Sequence, residues 1–179
     1  MMKLTNFFKA LPVLFFSIIC FFIYLTLEED NQNYLPSALL GKLAPKLELS
    51  TLANYDLPTD LDLETKQIKL VNFWASWCPP CKLEHPILEE IASQEKYLII
   101  GVNYKDKQKN AQKFLLSLGN PYKKLGSDIK GRTAIDWGVY GVPETFIIDE
   151  NGVILMRHPG PITQKIYQTK IKPLLKKQE

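Results

Sequence analysis

The run Cys78-Pro79-Pro80-Cys81 requires the chain to change from strand to helix at one point. Upstream, Ile68 to Trp74 is rich in β-branched and aromatic residues, and from Leu70 to Trp74 only Asn72 is polar. That is the pattern of a central strand buried on both faces. Downstream, from Pro79 or Pro80 to Gln94, the residues Leu83, Ile87, Leu88 and Ile91 fall on one stripe of a helix. Proline has no amide hydrogen and is tolerated in a first helical turn, where amides lack intrahelical partners. Pro86 lies deeper, removes a hydrogen bond and should kink the helix.

The alternation of elements continues along the chain. Lys46-Leu47-Glu48-Leu49 alternates polar and apolar residues, a strand signal. Residues 54–65 are acidic, contain Pro58 and read as loop or edge structure. Tyr97 to Tyr104 is a second apolar strand. Lys105 to Leu118 reads as a helix with Ala111, Phe114, Leu115 and Leu118 on one face, ending at Gly119-Asn120-Pro121. A short strand near Lys123–Leu125 and a short helix near Ala134–Trp137 follow. Glu144–Asp149 and Val153–Arg157 form a hairpin across Asp149-Glu150-Asn151-Gly152. Thr163 to Lys176 closes the chain as a helix, with Pro173 near its last turns. Strands alternating with helices, then an antiparallel hairpin, predict an α/β three-layer sandwich with a mixed sheet.

The net charge of +3 over 179 residues is too small to imply nucleic acid, and no basic stripe is interleaved with aromatics. Lys170, Lys172, Lys176 and Lys177 suit a helix C-terminal end. An apolar run from Ala10 to Leu27 is preceded by Lys3 and Lys9 and followed by Glu28-Glu29-Asp30. Its 18 residues reach the short end of the ~17–25 that span a bilayer. Lysines on its leading side keep the N-terminus in the cytoplasm and export the chain beyond Leu27. The run exceeds the ~7–15 apolar residues of a signal peptide and lacks a small-x-small cleavage site, so it reads as an uncleaved anchor. Cys20 follows Ile18-Ile19, which is wrong for a lipoprotein site, and reads as a small apolar residue of the span. The expected organisation is a cytoplasmic N-terminus (1–9), a transmembrane helix (10–27), a polar tether (28–44) and a folded domain (45–179).

Cys78 and Cys81 are the only cysteines beyond the anchor. The domain thus holds one sulfur pair, able to cycle between dithiol and disulfide without scrambling. An exported domain faces an oxidising compartment, so a pair working as a dithiol needs a supply of electrons. The species that attacks a disulfide is a thiolate. Cys78 lies where helix amides and the helix dipole favour negative charge, although Pro79 and Pro80 carry no N–H and limit that effect. Cys81, one turn further in, should be less exposed. Cys78 is therefore the expected nucleophile and Cys81 the resolving thiol. Other uses fit less well. A zinc site of Cys78, Cys81 and His85 lacks a fourth ligand. Haem attachment needs histidine where Lys82 stands. A purely structural disulfide closing so short a loop constrains little. No metal or other cofactor is implied.

The stretch from Val71 to Lys82 resembles the active-site strand and helix start of thioredoxin, and Gly138 to Asp149 resembles thioredoxin's cis-proline region. Ser37 to Lys42, Gly101 to Asp106 and Leu118 to Tyr122, together with the anchor, resemble the membrane-tethered CcmG/DsbE family of cytochrome c biogenesis. The likeness runs from Ser37 to Pro173. It implies a thioredoxin-like three-layer sandwich with a mixed central sheet, plus an N-terminal transmembrane helix. It also implies a redox-active Cys78–Cys81 disulfide, a cis bond at Val142–Pro143, and a substrate-docking surface of Trp77, Val142 and Pro143. Thioredoxins carry a buried aspartate where this chain, like the CcmG group, has Asn72, and asparagine cannot take the proton of the resolving thiol. Glu84, one helical turn after Cys81, and Glu144, after Pro143, are the candidates to tune the cysteines and accept that proton. His85 is expected to cover the helix surface, His158 has no evident role, and Trp74 belongs in the core.

By the same resemblance, the domain stands on the periplasmic side of the inner membrane on a single-pass anchor. There it reduces the disulfide of the Cys-x-x-Cys-His haem site of apocytochrome c, or of a cytochrome c maturation partner. Electrons would come from a transmembrane donor of the DsbD/CcdA type. Two alternatives stay open: a TlpA- or ResA-like reductase for another exported protein, and a thioredoxin-like module that binds an apoprotein without turnover.

Overall fold

All seven residues of strand β2 (Ile68–Trp74) are buried, and the sheet extends from it in both directions. The structure is a computed structural model that describes residues 4–27 and 38–177. Residues 1–3 of the expected cytoplasmic segment and 28–37 of the expected tether, with the acids Glu28–Asp30, lie outside the described residues.

The other strands are β1 (Ser50–Thr51), β3 (Tyr97–Tyr104), β4 (Lys124–Asp128), β5 (Glu144–Ile148) and β6 (Ile154–Pro159). They lie in the order β1-β4-β3-β2-β5-β6. β2, β3 and β4 are parallel; β1, β5 and β6 pair antiparallel with their neighbours. This is the mixed sheet expected from the element order. Successive strand residues point to opposite faces. Leu70, Trp74 and Ile99 enter one core with helices α3 (Pro79–Ala92) and α4 (Gln108–Leu118) and the C-terminal helix. Val71, Phe73, Ile100 and Val102 enter a second core with α2 (Asp60–Leu63) and α5 (Arg132–Asp136). Helices on both faces complete three layers.

Several local readings are corrected. Residues 46–49 are not a strand, because side chains satisfy their backbone groups. The Leu47 amide donates to Asp60 Oδ1 at 2.9 Å, Trp137 Nε1 donates to Lys46 O at 3.2 Å, and Thr133 Oγ1 donates to Glu48 O at 2.8 Å. The acidic stretch read as loop contains α2, capped where Thr59 N and Oγ1 donate to Asp62 Oδ2. On α3 the inward stripe is Cys81, Glu84, His85, Leu88 and Ile91, whereas Leu83 is 74% exposed. The C-terminal helix runs as α (Gln164–Ile166), π (Tyr167–Ile171) and α (Lys172–Lys177) segments. It widens just ahead of Pro173, which has no N–H to continue the α pattern. The end of the expected tether is hydrogen-bonded to the β5–β6 hairpin: Gly41 N to Ile154 O, Ile154 N to Lys42 O and Ala44 N to Gly152 O, all at 2.8–2.9 Å.

Helix α1 (Leu4–Leu27) belongs to a separate unit, residues 1–35. Among the described residues, no helix is long and apolar enough to cross a membrane.

Gly101 is the register partner of Asn72. A Cβ there would stand 2.7 Å from Tyr122 Cγ and 2.6 Å from Leu125 Cδ1. Gly101→Ala is therefore expected to cost about 1–3 kcal/mol through overpacking, seen as a lower urea midpoint at unchanged slope.

Candidate active site

Cys78 is the N-cap residue of α3, and Pro79 and Pro80 fill the next two positions. The first amide available to the helix N-terminus is then that of Cys81, which points at Cys78 Sγ from 3.2 Å. The two prolines thus leave one N–H, aimed at the sulfur. The Cys78–Cys81 disulfide is formed. Both cysteines are 2% exposed, so the expected difference between them is absent. Cys78 is covered because Val142 O approaches its Sγ to 3.4 Å. The Val142–Pro143 bond is cis, as the resemblance implied. Trp77 is 55% exposed beside the pair, its Nε1 donating to Lys105 O at 3.2 Å. Trp74 is in the core.

The strand-to-helix loop is clamped by Asp106, whose role was not read from the sequence. Its carboxylate accepts from Ser76 N at 2.6 Å, Ser76 Oγ at 2.9 Å and Asn103 Nδ2 at 3.1 Å. Two loops that follow parallel strands, after β2 and after β3, are thereby tied together.

Glu84 is fully buried, on the face of α3 that also carries Cys81. Its Oε1 accepts from Asn72 Nδ2 and its Oε2 from Ile162 N, each at 2.9 Å. Asn72 Nδ2 also donates to Thr145 Oγ1 at 2.9 Å, and Tyr122 OH donates to Asn72 Oδ1 at 2.8 Å. Burial pushes the Glu84 carboxyl up from 4.5 to about 7, against the opposing pull of the Ile162 amide and Asn72.

The structure does not bring the two glutamates together. Thr145 pairs with Asn72 and faces Glu84, whereas Glu144 pairs with Phe73 and faces the second core. There Arg157 Nε donates to Glu144 Oε1. Burial raises the Glu144 carboxyl and the Arg157 charge opposes that rise. Arg157 also donates to Gly138 O at 2.8 Å and lies 4.9 Å from the Tyr140 ring centroid, so it braces the segment leading to Val142.

His85 does not cover the surface. It is 2% exposed, with Nε2 3.0 Å from Gly119 O and its ring edge-on to Phe114. The polar group supplied by Gly119 lets an imidazole occupy an inward position. His158 is buried, with Nε2 3.3 Å from Pro161 O. Tyr122, Thr145 and Arg157 escaped the sequence reading. A signal for the first two existed, because a lone asparagine in a doubly buried strand requires polar partners.

This is the architecture of a thioredoxin-like thiol:disulfide oxidoreductase. The Redoxin family profile matches residues 39–172. The chain is 47% identical to the thiol:disulfide interchange protein HelX of Rhodobacter capsulatus over 152 residues, 85% of this chain and 86% of that protein. It is 42% identical to the thiol:disulfide interchange protein DsbE of Escherichia coli K12 over 151 residues, 84% and 81% of the two chains. A protein from Chlorobium tepidum assigned as a DsbE superposes with a TM-score of 0.63 at 28% identity, over 75% of this chain and 95% of that one. The chain belongs to the Redoxin family and, within it, to the DsbE group of thiol:disulfide interchange proteins.

The raised Glu84 value makes stability depend on pH. The folded chain binds this proton more tightly than the unfolded chain. The resulting stability is present in full below about pH 4.5 and is lost as pH rises through about 7. The loss is on the order of 3 kcal/mol. Urea unfolding of the oxidised chain at both ends of that window should show it in the wild type, and Glu84→Gln should remove it.

Proposed function

We propose that this chain is a reductant for the Cys-x-x-Cys-His haem site of apocytochrome c, or for a cytochrome c maturation partner. It works on the periplasmic side of the inner membrane. The observation that carries the reading is the buried Glu84 carboxyl one turn beyond Cys81, on the helix whose first free amide meets Cys78 Sγ. Membership of the DsbE group supports the choice of substrate.

In this reading the reduced Cys78 thiolate attacks one sulfur of the substrate disulfide. That S–S bond breaks and the other substrate sulfur leaves as a thiolate, taking a proton from water. Glu84 then accepts the Cys81 proton, and the Cys81 thiolate attacks Cys78 Sγ. The mixed disulfide breaks and the second substrate sulfur leaves. Two electrons have passed to the substrate and the Cys78–Cys81 disulfide remains. A dithiol donor of the DsbD/CcdA type returns two electrons and two protons. Trp77, Val142 and Pro143 form the docking edge around Cys78. Glu144 acts through Arg157, holding the segment that presents Val142 and adding to the charge field near the sulfurs. Residues 10–27 anchor the chain, 1–9 stay cytoplasmic, 28–40 serve as tether, and the catalytic domain runs from residues 41–44, held on the β5–β6 hairpin, to 179. The apolar run and its flanking charges support that topology.

Cys81→Ser should trap, in cells, a mixed disulfide with apocytochrome c or a maturation component. Capture of many unrelated exported proteins would refute the dedicated role. Persistent cytochrome c assembly in a Cys78→Ala/Cys81→Ala variant would instead mark a binding module. Glu84→Gln should slow resolution of the mixed disulfide at pH 7 by roughly 10²-fold in stopped-flow fluorescence. An unchanged rate would remove Glu84 from the proton transfer.

A further inference from the structure

We infer that Tyr122 is a positioning residue for the exchange reaction. Its hydroxyl fixes the Asn72 side chain so that the amide hydrogens, and not the amide oxygen, face the Glu84 carboxyl. The inference rests on the reading that Glu84 takes the Cys81 proton, and it names what keeps that carboxyl able to do so.

Asn72 and Glu84 are fully buried and Tyr122 is 5% exposed. An amide has one oxygen that accepts and one nitrogen with two hydrogens. Here Oδ1 takes the Tyr122 hydroxyl proton, while Nδ2 gives its hydrogens to Glu84 Oε1 and Thr145 Oγ1. A flipped amide would set its oxygen against a carboxylate oxygen, two acceptors in contact, and would leave the phenol proton without that acceptor. Only a protonated Glu84 could donate to a flipped Asn72. The orientation held by Tyr122 therefore supports the ionised carboxyl against its burial, and losing that hydroxyl favours the protonated form.

The tyrosine is itself held in place. Its ring stacks on Trp74 with centroids 5.5 Å apart and planes 16° apart. Its amide donates to Asn120 Oδ1 at 3.1 Å. His85, next to Glu84 on α3, binds Gly119 O in the same loop. Gly101 leaves the space that the ring occupies. Phenylalanine at 122 would keep the ring and its stacking and remove only the donor. The ionisable groups around Glu84 are Cys81, His85 and Glu89 on α3, Tyr122 before β4 and His158 on β6; Asn72, Thr145 and the Ile162 amide are neutral. Burial keeps the Tyr122 hydroxyl protonated well above its usual range, so it stays a donor throughout the working pH.

The test uses the full chain in detergent: wild type, Tyr122→Phe, Glu84→Gln and the double variant. The measured quantity is the rate at which Cys81 resolves a glutathione mixed disulfide on Cys78, followed from pH 5.5 to 9. In Tyr122→Phe the carboxyl inflection should move up by about one pH unit, a tenfold gain in proton affinity. In the double variant the tyrosine change should add no shift to the Glu84→Gln profile. An unmoved inflection, or an equal shift in the Glu84→Gln background, overturns the role of Tyr122. If Glu84→Gln keeps the inflection, the underlying reading of Glu84 fails, which is a separate outcome. A measurement on the wild type alone decides the matter should Tyr122→Phe not fold. The Asn72 side-chain amide hydrogens should titrate in NMR together with the Glu84 carboxyl carbon, and independence of the two would refute the proposal.

Discussion

Glu84 and Asn72 meet in the core between the central strand and the helix that carries the sulfurs, and much of the structure answers to that contact. A carboxyl withdrawn from water costs several kcal/mol unless its oxygens find donors. Here one donor comes from β2 and the other from the backbone at Ile162. The pair therefore ties α3 to the sheet and to the segment that enters the C-terminal helix. It acts with the fully buried Leu88 and Ile91, which turn the same face of α3 inward. Cys81 shares that face, one turn from the carboxyl, so the contact that ties down the helix also sets an ionisable group on the face that carries Cys81.

Around Cys78 the constraint is a shortage of donors. Two prolines open the helix, so the Cys81 amide alone approaches the sulfur. Asp106 holds the preceding loop from below, and the Val142 carbonyl closes over the sulfur. The ion pair of Glu144 and Arg157 lies across the sheet from Glu84 and braces the segment that ends at Val142. Two buried glutamates that look equivalent in the sequence thus lie on opposite faces of the sheet, because Glu144 and Thr145, adjacent on β5, face opposite layers.

The central elements were legible. β2 and β3 have the bounds read from their apolar runs, and the hairpin follows its Asp149–Gly152 turn. Long apolar strands and turn residues carry their own signals. Residues 46–49 misled because Leu47 and Leu49 do pack against the second core, while side chains and not a neighbouring strand satisfy the backbone. The α3 stripe misled for a related reason. Apolar periodicity assigned Leu83 to the core and His85 to solvent, but Glu84 and His85 had hydrogen-bond partners waiting at Asn72, Ile162 and Gly119. Those partners lie far away in the chain, so no local pattern reports them.

The sequence alone determined where the sulfur pair stands. A buried-type strand on one side, an amphipathic stripe on the other and two prolines between them place the pair at a strand-to-helix junction, because proline suits a first helical turn and not a central strand. Which groups surround that pair was decided only by tertiary structure. Tyr122, Thr145 and Ile162 reach Asn72 and Glu84 through sheet register and the return of the C-terminal segment. Buried hydrogen bonds are made between residues distant in sequence, and their geometry comes into being when the layers close.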